Sequence, residues 1–323
     1  MARLEYWDIG DKVSLREAFG RILIHCAEKN KNFVFFDADV AGGTGAKPFV
    51  EKYSDRVIQF GIAEQNMMAA AGGFSDVGIT PVVSTFAVFG TMRAHEQFRT
   101  AIAYPNRNVK LCCSHVGADV GPDGATAQMF EDIAIMRTIP NVTVIVPADA
   151  NEFMKAFQVI IDVKGPIYIR IGRSPAPVLF SSKHQFEIGK NLTMQDGKDI
   201  TIIATGVMVS RAIESAKILK KEGISVRVDN LSTIKPIDKK GILSAAKETG
   251  AIITAEDHSV FGGMGSAVAE LIVQNYPIPM NIIGIQDRFG KSGEPDELSK
   301  YFGLTSKQIC KAVKNVLKRK VQL

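Results

Sequence analysis

A chain of 323 residues, 46% of them hydrophobic, can bury more than one core and is expected to divide into two domains. Its formal net charge of +5 is modest, and the densest basic run, residues 314–320, falls on a terminal amphipathic helix whose solvated face accounts for it, so nothing points to nucleic acid. No apolar run reaches the roughly 18–20 residues that span a membrane. The first eight residues are acidic and aromatic rather than signal-like, and Cys26, Cys112, Cys113 and Cys310 lack metal-ligand spacing, all of which suits a reduced, cytoplasmic protein.

Residues 14–29 predict an amphipathic helix with Leu15, Ala18, Phe19, Ile22, Leu23 and Cys26 on one stripe. A buried-type strand over 32–37 ends in Asp37-Ala38-Asp39 and the glycine-rich loop 41–45. Strands follow at 57–61, 81–85, 109–114 and 142–146, with a helix opening at Glu64, then a helix over 151–163 and a strand over 167–171. This alternation is that of a mainly parallel sheet with helices on both faces. The rigid turn Gly172-Arg173-Ser174-Pro175-Ala176-Pro177 and a polar, irregular stretch over 181–198 mark a boundary, after which strands at 200–204, 225–230, 251–255 and 281–285 alternate with helices at 210–221, 264–276 and 306–318. The expected fold class is therefore α/β in two domains, residues 1–180 and a smaller unit over 190–323.

In open α/β sheets ligands bind beyond the carboxyl ends of the strands. There the sequence puts its unusual residues: Asp37 and Asp39, Glu64, Phe86 and Phe89, the loop from His115 to Asp123, and Arg170 with Arg173. Glu64 opens a helix otherwise free of charge until Asp76, and a buried carboxylate needs a specific partner; complementing the helix dipole is the plainer reading. Phe86 and Phe89 have helical spacing, for which core packing is the ordinary explanation. The segment 115–126 sets one His and two Asp among three glycines and a proline, either a solvated loop or one that lets backbone approach a ligand. Arg173 is a surface arginine or a phosphate-binding fork.

Together these segments resemble the C-terminal half of the transketolase family. The resemblance runs in order through Gly61-Ile62-Ala63-Glu64-Gln65-Asn66, Ser84-Thr85-Phe86-Ala87-Val88-Phe89, Ser114-His115, Gly121-Pro122-Asp123-Gly124-Ala125-Thr126 and Val146-Pro147-Ala148-Asp149. It continues through Glu256-Asp257-His258 and Gly262-Gly263-Met264-Gly265. It implies a pyrimidine-binding domain followed by a transketolase C-terminal domain, and transfer of a two-carbon ketol unit between sugar phosphates with thiamine diphosphate. By the resemblance, Glu64 is the carboxyl that bonds the aminopyrimidine ring nitrogen, a role suited to a positioned acid–base group. Phe86 is the ring stacked on the pyrimidine, with Phe89 its neighbour. Asp123 takes a hydroxyl of the donor ketose, His115, Arg173 and Arg16 contact phosphate, and Asp39 lies near the cofactor at a subunit interface. In two places the chain departs from the pattern. Ala127 stands where relatives carry His or Gln, with Gln128 after it, and Gly42-Gly43-Thr44 stands where some have a phosphate-binding serine.

No Gly-Asp-Gly motif of the kind that holds Mg and diphosphate occurs in the chain. The resemblance thus implies a split enzyme, in which an N-terminal-half partner subunit holds Mg and shares the thiamine diphosphate, in an α2β2 assembly. The Gly-rich turn 262–265 is read as packing geometry rather than an anion site. Rival readings are the beta subunit of a 2-oxoacid dehydrogenase decarboxylase component, deoxyxylulose-phosphate synthase, and a non-catalytic scaffold subunit that Ala127 mildly favours.

Overall fold

The computed structural model describes residues 4–321, so Met1, Ala2 and Arg3 of the N-terminal segment read above lie outside it. In chain order the first strands are β1 (Lys12–Val13), β2 (Phe33–Asp37), β3 (Val57–Gln59), β4 (Thr80–Phe86), β5 (Lys110–Ser114), β6 (Thr143–Ile145), β7 (Ile167–Ile171) and β8 (Ala176–Pro177). The remainder are β9 (Leu192–Gln195), β10 (Ile200–Ala204), β11 (Val226–Asn230), β12 (Thr233–Lys235), β13 (Ile252–Ser259) and β14 (Met280–Ile285).

Near-continuous apolar runs make the middle strands of the first sheet, as a sheet buried on both faces requires. Every residue of β5 and β7 is buried, and the charged members are partnered. Lys110 Nζ donates to Asn108 Oδ1 at 2.6 Å and to the Gly165 carbonyl at 3.1 Å. Arg170 makes a two-pronged pair with Asp132, at 2.6 and 2.8 Å, whose other neighbour is the Tyr168 hydroxyl. The first sheet runs β12-β6-β7-β5-β4-β2-β3, parallel except for β12, which lies antiparallel on β6. The second runs β14-β13-β10-β11-β9, parallel except for the edge strand β9.

Helix Leu15–Lys29 starts where Ser14 Oγ accepts the Glu17 N–H and buries the apolar stripe read from its sequence. With helix Ala150–Ile160 it covers one face of the first sheet, Phe19 meeting Phe153 and Phe157 edge-on. Helix Glu64–Asp76 covers the other through Met67, Met68 and Ala71. Helices Met208–Lys220 and Ser306–Lys320 close the core of the second sheet.

The stretch read as irregular over 181–198 contains β9, and the rigid turn at 172–177 ends in β8, which pairs with β1. Polar side chains join the two sheets. Asp257 accepts the N–H groups of Ala118 and Asp119, and Glu152 accepts from the Ala148 N–H, Asn230 and Ser232. Glu256 takes the N–H groups of Met264 and Gly265, both at 2.7 Å, so the Gly-rich turn is closed by a side chain of its own unit. No helix among the described residues is long and apolar enough to cross a membrane.

Candidate active site

From β2 the chain moves outward to β3 and then returns to β4 on the other side of β2. That reversal opens a crevice beyond the carboxyl ends of β2 and β4, where parallel sheets bind ligands. The loop after β2 turns through Asp39 in the left-handed region (φ 63°) into the short helix Ala41–Thr44. Gly43 then lies against Phe86, close enough that a Cβ would come within 2.8 Å of its ring.

Phe86 ends β4, and the chain winds into a wide helical turn, Phe89–Arg93, with i→i+5 geometry. The rings of Phe86 and Phe89 stack at 5.7 Å and 17°, and the His115 imidazole stacks on Phe86 at 3.6 Å and 21°. His115, just past β5, also has a left-handed backbone (φ 62°). For a non-glycine residue this is costly unless its surroundings hold it there. Here they do, because Ser114 Oγ lies 2.9 Å from Nδ1 and Asp123 Oδ2 3.2 Å from Nε2.

Asp123 is shared, since its Oδ1 also meets Arg173 Nη2 at 3.3 Å. Arg16 reaches from the first helix to the carbonyls of Gly43 (3.0 Å) and Arg173 (3.2 Å). The structure thus brings Arg16, His115, Asp123 and Arg173 together around Phe86. Burial pushes the His115 imidazole down to about 4; Asp123 pulls it back, and Arg16 and Arg173 push it further down. At neutral pH His115 is therefore uncharged, and the positive charge of the recess comes from the Arg16 and Arg173 guanidiniums, opposed by Asp123 and, behind Arg173, by Asp119. Among the described residues, the buried Arg173 Nε has no hydrogen-bond partner.

Glu64 is the first residue of its helix and is 2% exposed. Among the described residues its hydrogen-bond donor is Arg93, Nη1 to Oε2 at 2.9 Å, and the same guanidinium lies over Phe89 at 4.3 Å. The carboxylate therefore does have a partner within the chain, though Arg93 itself is about half exposed. The Phe86–Phe89 stack joins this pair to the basic recess. Asp39 is not drawn in: it is exposed, and its N–H binds Gln59, which in turn donates to Asp37.

Sequence reasoning missed Arg93, whose signal was its i, i+4 spacing from Phe89. Gln128 does not stand in for the donor missing at Ala127, because its amide is buried and bonded to Lys291. The Thr44 hydroxyl is also turned inward, to the Ala41 carbonyl.

A family model described as the transketolase pyrimidine-binding domain matches residues 11–177, and the transketolase C-terminal domain model matches 189–309. The chain belongs to the transketolase family. Transketolases are transferases that depend on thiamine diphosphate. A 6-deoxy-6-sulfo-D-fructose transketolase subunit of Clostridium sp. MSTE9 is 39% identical over 95% of each chain. Human transketolase is 36% identical over 98% of this chain, which spans 51% of that longer enzyme. A solved structure titled a split gene transketolase, inactive beta4 tetramer, superposes with a TM-score of 0.89 at 42% identity, covering 95% of this chain and 99% of that one. This transketolase chain matches the subunit-length proteins nearly end to end.

Proposed function

We propose that the chain is the pyrimidine-binding subunit of a split transketolase that moves a two-carbon ketol unit between sugar phosphates. Residues 1–180 form the cofactor-facing domain and 190–323 the C-terminal domain. Thiamine diphosphate lies between this subunit and an N-terminal-half partner that holds Mg, in an α2β2 assembly. The observation that carries this reading is the buried Glu64 carboxylate beside the Phe86–Phe89 pair, its described donor a half-exposed arginine. A carboxylate in that position is suited to a heteroaromatic ring nitrogen arriving from outside.

When bound, thiamine diphosphate supplies the electron sink for cleavage beside the ketose carbonyl. Glu64 holds a proton at the pyrimidine ring nitrogen, and Phe86 and Phe89 fix the plane of the ring. Asp39 stands at the interface with the partner. Asp123 accepts a hydrogen bond from a donor hydroxyl, while Arg16 and Arg173 bind the substrate's terminal anion with neutral His115 beside it. The unpartnered Arg173 Nε fits that role, since a buried guanidinium N–H is costly until an anion takes it. Two arginines in a recess accept a phosphate or a sulfonate alike, in keeping with the sulfosugar named for the Clostridium relative.

Calorimetry with thiamine diphosphate and Mg tests the reading, on the chain alone and then mixed with the subunit encoded beside it. Binding in the mixture only, followed by ketol transfer from a ketose phosphate, is the expected result. Tight binding by the lone chain, or turnover of pyruvate in place of ketoses, would reject it.

A further inference from the structure

Resting on the assignment of Asp123 to the donor sugar, we propose that Gln128 is a positioning residue. It sets the Asp123 carboxylate by clamping the 118–128 arch to the 290–295 loop of the second unit.

Asp123 ends a turn that packs against the short helix Pro295–Tyr301 and whose first two residues are bonded to Asp257 of β13. The arch runs through Ala118–Asp123 with a left-handed break at Gly121 (φ 78°) and another at Gly124 (φ 78°), so its own backbone does little to fix the carboxylate. The start of the arch is held by Asp257 and Ser174, and its far end by a contact 163 residues away in sequence. The Gln128 amide, 5% exposed, binds both backbone groups of one residue: Lys291 N donates to Oε1 at 2.9 Å and Nε2 donates to Lys291 O at 3.0 Å.

Shape repeats the same message. A Cβ on Gly290 would come within 1.9 Å of Gln128 Oε1 and 3.0 Å of Ala125 Cα. One on Gly124 would meet Ser292 Oγ at 2.4 Å, and one on Gly121 would meet Pro295 at 3.3 Å. The arch is thus seated on the loop from Gly121 to Gln128, with Asp123 between Gly121 and Gly124. Asp123 in turn sets both His115 and Arg173. A doubly bonded amide holds such a seat because losing either bond leaves a buried polar group without a partner. The second unit acts on the donor through this clamp.

The test reads the His115 tautomer in the full-length chain by long-range nitrogen-15 NMR of labelled imidazoles. In the wild type the Asp123 contact fixes the proton on Nε2. Gln128→Ala is expected to give His115 the mixed-tautomer signal of Asp123→Ala, and the double variant no further change. Gly290→Ala reaches the clamp from the other side and serves if Gln128→Ala folds poorly, because its backbone lies outside the left-handed region. A wild-type tautomer in both clamp variants overturns the proposal.

Turnover of the complex with the neighbouring subunit separates the two assignments. D-xylulose 5-phosphate is compared with hydroxypyruvate, which offers the ketol unit without the hydroxyls that follow it. Both clamp variants are expected to raise the KM for the ketose about tenfold and leave that for hydroxypyruvate unchanged. If Asp123→Ala itself leaves the ketose KM unchanged, the donor assignment fails while the clamp stands. If Asp123→Ala raises it and the clamp variants do not, the positioning role fails.

Discussion

Glu64 and Arg93, 29 residues apart in sequence, meet at 2.9 Å with the Phe89 ring beneath the guanidinium. The pair joins the start of one helix to the end of a wide helical turn, and so places an acid–base group beside the aromatic stack. Replacing Glu64 with Gln keeps the shape and removes the proton-holding group. Turnover of the reconstituted complex is expected to fall a hundredfold or more, the range general acid–base groups supply. Initial rates measured at saturating cofactor check this, and unchanged turnover would remove Glu64 from the chemistry.

Arg93→Ala leaves a 2%-exposed carboxylate without the donor described above. An unpaired buried acceptor costs about 1–3 kcal/mol, and the cost lies at the low end here because Arg93 is half exposed and water can follow it out. Urea unfolding of the chain measures the loss. The double variant Glu64→Gln with Arg93→Ala is expected to recover part of it, because the remaining neutral amide is cheaper to bury.

His115 gives the recess a pH dependence whose sign follows from burial. Its folded pKa of about 4 lies below the ordinary value of 6.5, so the unfolded chain binds more protons across the interval between them. Stability from this group is therefore full above about pH 6.5 and declines as the pH falls toward 4. Glu152 and Glu256, both raised to about 7 by burial, work in the opposite direction over much of the same range. A whole-protein profile would mix these effects, so the difference between wild type and His115→Asn is the quantity to follow. Melting temperatures at pH 7.5 and pH 5 are expected to show the wild type losing stability relative to the variant on acidification.

The parallel sheets were legible because β2, β4, β5, β7, β10 and the first half of β13 are mainly apolar runs bounded by glycine or polar residues; β13 runs on through Glu256, Asp257 and His258, past the strand read at 251–255. The helix Leu15–Lys29 was legible from its stripe and its Ser14 cap. Helix Lys239–Thr249 escaped notice because three of its four buried positions are Ala or Thr, although Asp238 and Gly250 cap it. β12 pairs with a strand almost ninety residues earlier, and no local pattern announces such a partner. Within the recess, residue types and strand-end positions pointed to His115, Asp123 and Arg173, because charge and glycine concentrate where function needs exposed backbone, whereas Arg16, in the first turn of the first helix, was named through the family resemblance alone. Arg93 is marked in the sequence by no more than its i, i+4 spacing from Phe89, and the Gln128 clamp depends on tertiary contact that its neighbours in sequence do not announce.

Gly43 tests whether the face of Phe86 is where a cofactor ring lies. A methyl group there would come within 2.8 and 2.9 Å of two Phe86 ring carbons, and Phe86 cannot simply retreat because His115 is stacked on it at 3.6 Å. Gly43→Ala must therefore tilt the ring or lift the 41–44 turn. Gly42→Ala is the matched control: it gains the same helix propensity one residue earlier, and beyond its chain neighbours and its own helix backbone no atom of the described residues lies within 4 Å of the added carbon. Both variants are expected to melt near the wild type, because better helix propensity offsets local strain. In the two-subunit mixture, Gly43→Ala is expected to weaken thiamine diphosphate about tenfold, equivalent to about 1.4 kcal/mol, while Gly42→Ala leaves the affinity unchanged. Equal calorimetric affinities for the two variants would mean that the cofactor ring does not rest on Phe86. The aromatic stack would then be core packing, the ordinary role of a Phe pair.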